Sequence, residues 1–344
     1  MLRDSVTIDL LDSCIVSIYN MKPDAALDRL DKISRRWPEH PADFLLKGMI
    51  IYWAEYPLIP SSPSRGEYEY NLRKCMQLCE DYNSENRTEY LLANLCARGL
   101  LLLFYSDNDL NNEVFPLATS TYWYIRRSFE LTDSIPDFYF FTGLYDYYRE
   151  AYPRAHPLYK PLAVLFPKGD MDRGLNELKT ASAKSIVLKA EALSFLSYIY
   201  RTFENDLQRA SDYSKKLYTM YPANTCFFTL YIRDLLLTKQ YDEAEQLLSG
   251  FRDDAHDKYV HAQIIIFNAI LQEKRYHNKA EAERLYGKGF EEITQFGAFG
   301  NEYAAYACFG LSRIYREKND KKNQAFYRRK AVKLSLFRKL DFDD

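Results

Sequence analysis

Between residues 187 and 335 apolar side chains recur at i, i+3, i+4 and i+7, and these helical runs come in pairs separated by short polar turns. The run Leu196-Ser197-Tyr198-Ile199-Tyr200-Arg201 returns 115 residues later as Leu311-Ser312-Arg313-Ile314-Tyr315-Arg316. Ten residues after each of Tyr200 and Tyr315 stands an alanine, Ala210 and Ala325, opening a second helical stretch. Two intermediate copies fill the interval. Leu230 to Leu237 leads through Lys239-Gln240-Tyr241-Asp242-Glu243 to Ala244, and Ile264 to Leu271 leads through His277-Asn278 to Ala280. With Gly174 included, the small residues are separated by 36, 34, 36 and 45 positions, and the longest gap is assigned to the glycine-rich stretch Gly287 to Gly300. The pattern predicts helical hairpins in which a small residue in the second helix admits the first. Tyr221-Pro222-Ala223-Asn224 ends one such second helix, because proline drives its predecessor out of the α region. One hairpin cannot bury its own apolar face, so neighbours must stack.

The first half repeats less regularly. Pro23 to Leu30 reads as a second helix closed by Trp37-Pro38-Glu39-His40-Pro41, and Pro57 to Pro63 reads as a loop. Further helices are predicted over 66–82, 86–106, 112–131 and 136–150. The expected organisation is a divergent region, 1–150, followed by clearer repeats with a capping helix, 151–340, in one continuous array.

Ala210, Pro222, Tyr241-Asp242-Glu243-Ala244 and Leu247-Leu248 resemble the tetratricopeptide repeat, best in 187–256 and 302–335. Ser194 and Tyr198 stand where that family usually has a tryptophan and a small residue. Residues 140–178, with Phe140 to Arg149, Pro157-Leu158-Tyr159, Gly169 and Gly174, look like the central segment of a tetratricopeptide family of mitochondrial outer-membrane-associated proteins and bacterial relatives. The resemblance implies an all-α, right-handed superhelix of hairpins whose first helices line a concave groove. It further implies a protein or peptide segment as partner.

Composition agrees with helix and removes several function classes. Glycine (12) and proline (13) are too scarce for a turn-rich sheet protein, while tyrosine (30) and phenylalanine (21) are plentiful. Lys and Arg (46) nearly balance Asp and Glu (48), so overall charge predicts neither a nucleic-acid nor a membrane partner. The longest apolar stretch, Tyr90 to Tyr105, contains Asn94 and Arg98 and falls short of the ~20 residues that span a bilayer. Acids at 4, 9 and 12 interrupt any signal-peptide core, giving a cytoplasmic expectation by default, or a periplasmic or exported one if a leader has been removed. Six scattered cysteines without a CxxC pair read as buried thiols of a reducing compartment.

No phosphate-binding loop, dinucleotide fingerprint, metalloprotease helix or nucleophile elbow is present in the sequence. Cys75 and Cys79 share a helix face but lack a second ligand pair, and His256 and His261 flank a polar turn, 252–257. No metal and no cofactor are therefore expected. The aromatic groups Tyr52-Trp53, Tyr122-Trp123-Tyr124 and Tyr139-Phe140-Phe141 read as packing, with Tyr145 and Tyr148 the candidates for ligand contact. Nine Lys and Arg residues between Lys318 and Lys339, against Asp320 alone, read as the solvated face of a capping helix. By the geometry of the family resembled, the groove positions are Tyr198 and Arg201, Arg233 and Leu236, Ala269 and Gln272, and Arg313 and Arg316. Arginine recurs there, and its planar fork suits a carboxylate-bearing segment. The reading is a non-catalytic scaffold for a peptide or protein. The alternatives are a helical-repeat enzyme or glycan- or lipid-binding protein using the aromatic central segment, and a structural subunit of an assembly.

Overall fold

The computed structural model describes residues 1–2, 4–81, 88–155, 166–251 and 257–335. Among them there is no strand; the fold is all-α, with consecutive helices packed against one another. Two compact units are formed, Met1–Leu196 and Ser197–Asp344. The first holds α1 (Ser5–Tyr19), α2 (Pro23–Arg36), α3 (Pro41–Ala54), α4 (Arg65–Asp81), α5 (Thr88–Asp107), α6 (Asn111–Ser128), α7 (Phe138–Ala155) and α8 (Met171–Lys184). Helix α9 (Lys189–Thr202) crosses the unit boundary. The second unit continues with α10 (Leu207–Met220), α11 (Thr225–Leu237), α12 (Tyr241–Gly250), α13 (Lys258–Lys274), α14 (Lys279–Ile293), α15 (Asn301–Glu317) and α16 (Lys321–Leu334). The boundary expected at residue 150 lies inside α7. The polar turn 252–256, with His256, and the segment 156–165, with His156 and Pro157-Leu158-Tyr159, lie outside the described residues, as does the end of the charge run beyond 335.

One turn geometry recurs. Met21, Asp109, Asn205, Lys239, His277 and Asn319 all have φ between 54° and 60°, and each immediately precedes the N-cap of the next helix. The left-handed residue lets the cap amide reach back and close the preceding helix: Asp206 N donates to Tyr200 O, Gln240 N to Leu235 O and Asp320 N to Tyr315 O. Asp206, Asn278 and Asp320 then accept from the amide three residues on, starting the second helix. Because Lys22 and Leu110 occupy the same place, the hairpin turn extends into the first unit, where the sequence pattern was weak.

The N-cap fixes which residue meets the first helix. Gly174, Ala210 and Ala244 each stand four residues after their caps and are buried. In α14 that place belongs to Ala282, fully buried, and not to the expected Ala280, which is exposed. In α16 it is Gln324, with Ala325 exposed. The expected insertion is also narrower: Gly287 and Gly289 lie within α14, and the extra residues form a 3₁₀ turn, Thr294–Gly300. The repeated Leu-Ser-x-Ile-Tyr motif is packing. Leu196, Ile199, Leu311 and Ile314 are buried. Tyr200 stacks on Tyr213 at 5.7 Å and 7°, and Tyr315 on Tyr327 at 5.6 Å and 1°.

Within 140–178 the described residues of the first unit form a close helix contact. Helices α7 and α8 approach so closely that a Cβ on Gly143 would stand 2.9 Å from the Gly174 carbonyl oxygen, and one on Gly174 would stand 2.7 Å from the Gly143 oxygen. Asp146, buried, pairs with Arg173 across the same contact.

Candidate functional site

The first helices of the hairpins in the second unit, α11, α13 and α15, are buried along most of their length. Their inner polar residues meet one another. Arg201 Nη1 lies 2.7 Å from Glu302 Oε1, so the end of α9 touches the start of α15 directly. Arg233 on α11 reaches the same oxygen at 3.5 Å and holds Asp234 Oδ1 through Nε at 3.0 Å. Ser197 donates to Asp234 at 3.1 Å, and the Tyr306 hydroxyl donates to Glu302 at 3.0 Å. Two guanidiniums thus face two carboxylates in a buried cluster with no net charge. Burial pulls the Arg233 pKa down, but the Asp234 and Glu302 charges outweigh it and hold the guanidinium well above its usual value.

A second pair stands further along the array. Arg313 grips Glu273 in a bidentate fork, Nε to Oε1 at 2.7 Å and Nη2 to Oε2 at 2.8 Å, while Tyr286 donates to Oε2 at 2.6 Å. Burial raises the Glu273 pKa, and the Arg313 hydrogen bond and charge overcome it, keeping the carboxyl below its usual range. The sequence placed Arg201, Arg233 and Arg313 at groove positions open to a guest. In the structure the first two share one cluster, the third forms its own pair, and all three already hold carboxylates of this chain. Arg316 is exposed near the C-terminal end of α15, one turn beyond Arg313 on a neighbouring line of the helix surface. Tyr198 is half-buried, packed by Phe203 at 6.1 Å and by the Arg201 guanidinium over its ring at 5.6 Å.

Glu302 and Glu273 are the residues that sequence reasoning missed. Asp234 had a local signal, since it adjoins Arg233. Glu302 had little beyond its isolation in the apolar run Tyr303-Ala304-Ala305-Tyr306, because its partner is 101 residues away.

In the first unit Tyr145 and Tyr148 lie on α7 and are half-buried. Tyr145 donates to the Pro167 carbonyl at 2.7 Å and packs with Tyr122 and Phe129, at 5.7 and 5.9 Å. Burial, with Tyr122 beside it, pushes the Tyr145 hydroxyl up to about 12. Tyr148 meets Tyr147 and Phe195 edge to face. Both candidates are therefore engaged in aromatic packing, each with its own neighbours, and are half-buried.

The same unit holds a carboxyl poised to titrate. Glu191 accepts from the Tyr19 hydroxyl, while its Oε2 is buried without a hydrogen-bond partner. Burial raises its pKa to about 7, opposed by the Tyr19 bond and reinforced by Asp137. The folded chain therefore binds a proton between about pH 4.5 and 7 that the unfolded chain does not, so stability falls as pH rises through that window. Glu191→Gln is expected to remove this fall and to raise stability at pH 8 by up to about 3 kcal/mol. Urea unfolding at pH 5 and pH 8 measures it; equal pH dependence in both proteins would contradict the assignment.

Among the described residues no three or more His, Cys, Asp or Glu side chains gather in a group able to hold a metal ion. The six cysteines are free and buried, Cys75 and Cys79 included. No described helix is long and apolar enough to cross a membrane. In comparison with known proteins, no family model and no curated protein matches the chain.

Proposed function

We propose that the chain is a non-catalytic interaction scaffold of tetratricopeptide type that holds a peptide or protein segment against the first helices of its hairpins. The observation that carries this reading is the pairing of the inner charges. An active site keeps an acid, base or nucleophile poised toward a substrate. Here Arg201, Arg233 and Arg313 are neutralised by Glu302, Asp234 and Glu273, so these groups shape the inner side of the unit and leave recognition to side chains still reached by solvent. The hairpin period and the small residue four places after the caps of α8, α10, α12 and α14 support the tetratricopeptide assignment.

Within the second unit the expected groove positions still reached by solvent are Tyr198, Gln272 and Arg316, of which Tyr198 and Arg316 offer an aromatic ring and a cation. A carboxylate on the guest would find its hydrogen-bonding cation in Arg316, since the other three guanidiniums are occupied. A hydrogen bond to a charged group contributes about 1.5–3 kcal/mol. Tyr198→Ala with Arg316→Ala is therefore expected to weaken binding of a captured partner segment more than about tenfold, measured by titration calorimetry with circular dichroism unchanged. Undiminished binding by the double variant would refute the assignment of these two residues.

A further inference from the structure

Two outward helix faces of this chain carry opposite charge on similar apolar frames. On α1, Ser5, Asp9, Asp12 and Val16 follow one another at i, i+4, i+7 and i+11, so they form one stripe, with Val6 beside it. Val6 and Val16 are 51% and 41% exposed, and Asp9 and Asp12 between them are exposed and meet no cation among the described residues. Helix α1 contains no lysine or arginine.

Helix α16 is the converse. Its fourteen residues, Lys321–Leu334, contain six Lys or Arg and no acid. Ala331 is turned inward, and the outward side bears the stripe Lys322, Phe326, Arg329 and Lys333, with Val332 alongside. Phe326 and Val332 are 50% and 49% exposed. Lys322 stands beside the cap carboxylate Asp320, Lys333 forms no ion pair among the described residues, and the hydrogen bond made by Arg329 goes to the Ala325 carbonyl of its own helix. A solvated surface helix usually mixes both signs. Each of these faces instead lacks the counter-charges that the other supplies.

We propose that α1 of one copy docks on α16 of a second copy, Asp9 and Asp12 against Arg329 and Lys333, with Val6 and Val16 covering Phe326 and Val332. The contact is heterologous, so each added copy leaves one α1 and one α16 open, and the assembly closes into a ring or grows as a chain. One helix laid on one helix buries less than the standard ~1,600 Å² of a stable complex, so the association is weak and depends on concentration. Its charge makes it sensitive to salt. It uses neither Tyr198 nor Arg316 and is independent of the partner site proposed above.

Sedimentation of the full chain tests this. At about 20 mM salt the weight-average mass should rise with concentration from one chain toward two or more, and at about 500 mM it should return to one. Asp9→Lys with Asp12→Lys, and separately Arg329→Glu with Lys333→Glu, should each yield a folded monomer at every concentration. Mixing the two variants should restore association, because the intact α1 of one meets the intact α16 of the other. A wild-type chain that stays monomeric, or a mixture that fails to associate, overturns the proposal. So does a monomer that binds an oligonucleotide through Arg329 and Lys333, which would assign the basic face to a polyanion.

Discussion

Gly174→Val should destabilise the chain by about 4 kcal/mol, while Gly287→Ala should leave it unchanged or up to about 1 kcal/mol more stable. Both glycines sit within helices, and propensity alone favours replacement at both. The difference is what a side chain would meet. A Cβ on Gly174 would lie 2.7 Å from the Gly143 carbonyl oxygen and 2.7 Å from the Tyr147 amide nitrogen, both backbone atoms of α7. Neither can rotate away, so α7 and α8 must separate, and the buried Asp146 would lose its geometry with Arg173. Around Gly287 there is nothing within 4 Å. Urea denaturation of both variants measures the contrast; similar costs at the two positions would mean that the helices do not meet at Gly174.

That pair of glycines shows what local pattern can reveal. Gly143, Gly169 and Gly174 are visible in the sequence as part of a pattern, and in the structure each is a point of close backbone approach. The hairpins of the second unit were legible for a similar reason. Period, small residue and terminating proline are all contained within a few tens of residues. The differences are of phase: repeat spacing points to Ala280 and Ala325, whereas the N-caps Asn278 and Asp320 turn Ala282 and Gln324 toward the first helix. The turn itself was hidden, because its left-handed residues, Asn205, Lys239, His277 and Asn319, share no residue type beyond two asparagines. The arginines were found but their partners were not. Sequence spacing places Arg201 and Arg233 at the two groove positions of successive hairpins, and it cannot show that Glu302, 101 residues beyond Arg201, meets both.

The loss of that carboxylate has the second large expected effect. Glu302→Gln should cost about 3–5 kcal/mol, since it takes the carboxylate from the buried Arg201 and leaves Arg233 with Asp234. The carboxylate also accepts from Tyr306, so the side chain is held from three directions. Arg201→Met combined with Glu302→Met should be less destabilised than Glu302→Gln alone, because replacing both partners removes the uncompensated charge along with the attraction. A double variant no better than the single one would mean that Arg201 and Glu302 are not coupled.

The claim that the chain is a binding scaffold is tested most directly by capture from native cells, with chemical cross-linking before lysis and identification of what remains bound. The account predicts one protein retained in near-stoichiometric amount by the wild-type chain and lost on Tyr198→Ala with Arg316→Ala. Retention of no protein beyond a tag-only control, together with turnover of a small molecule by the purified chain, would contradict it.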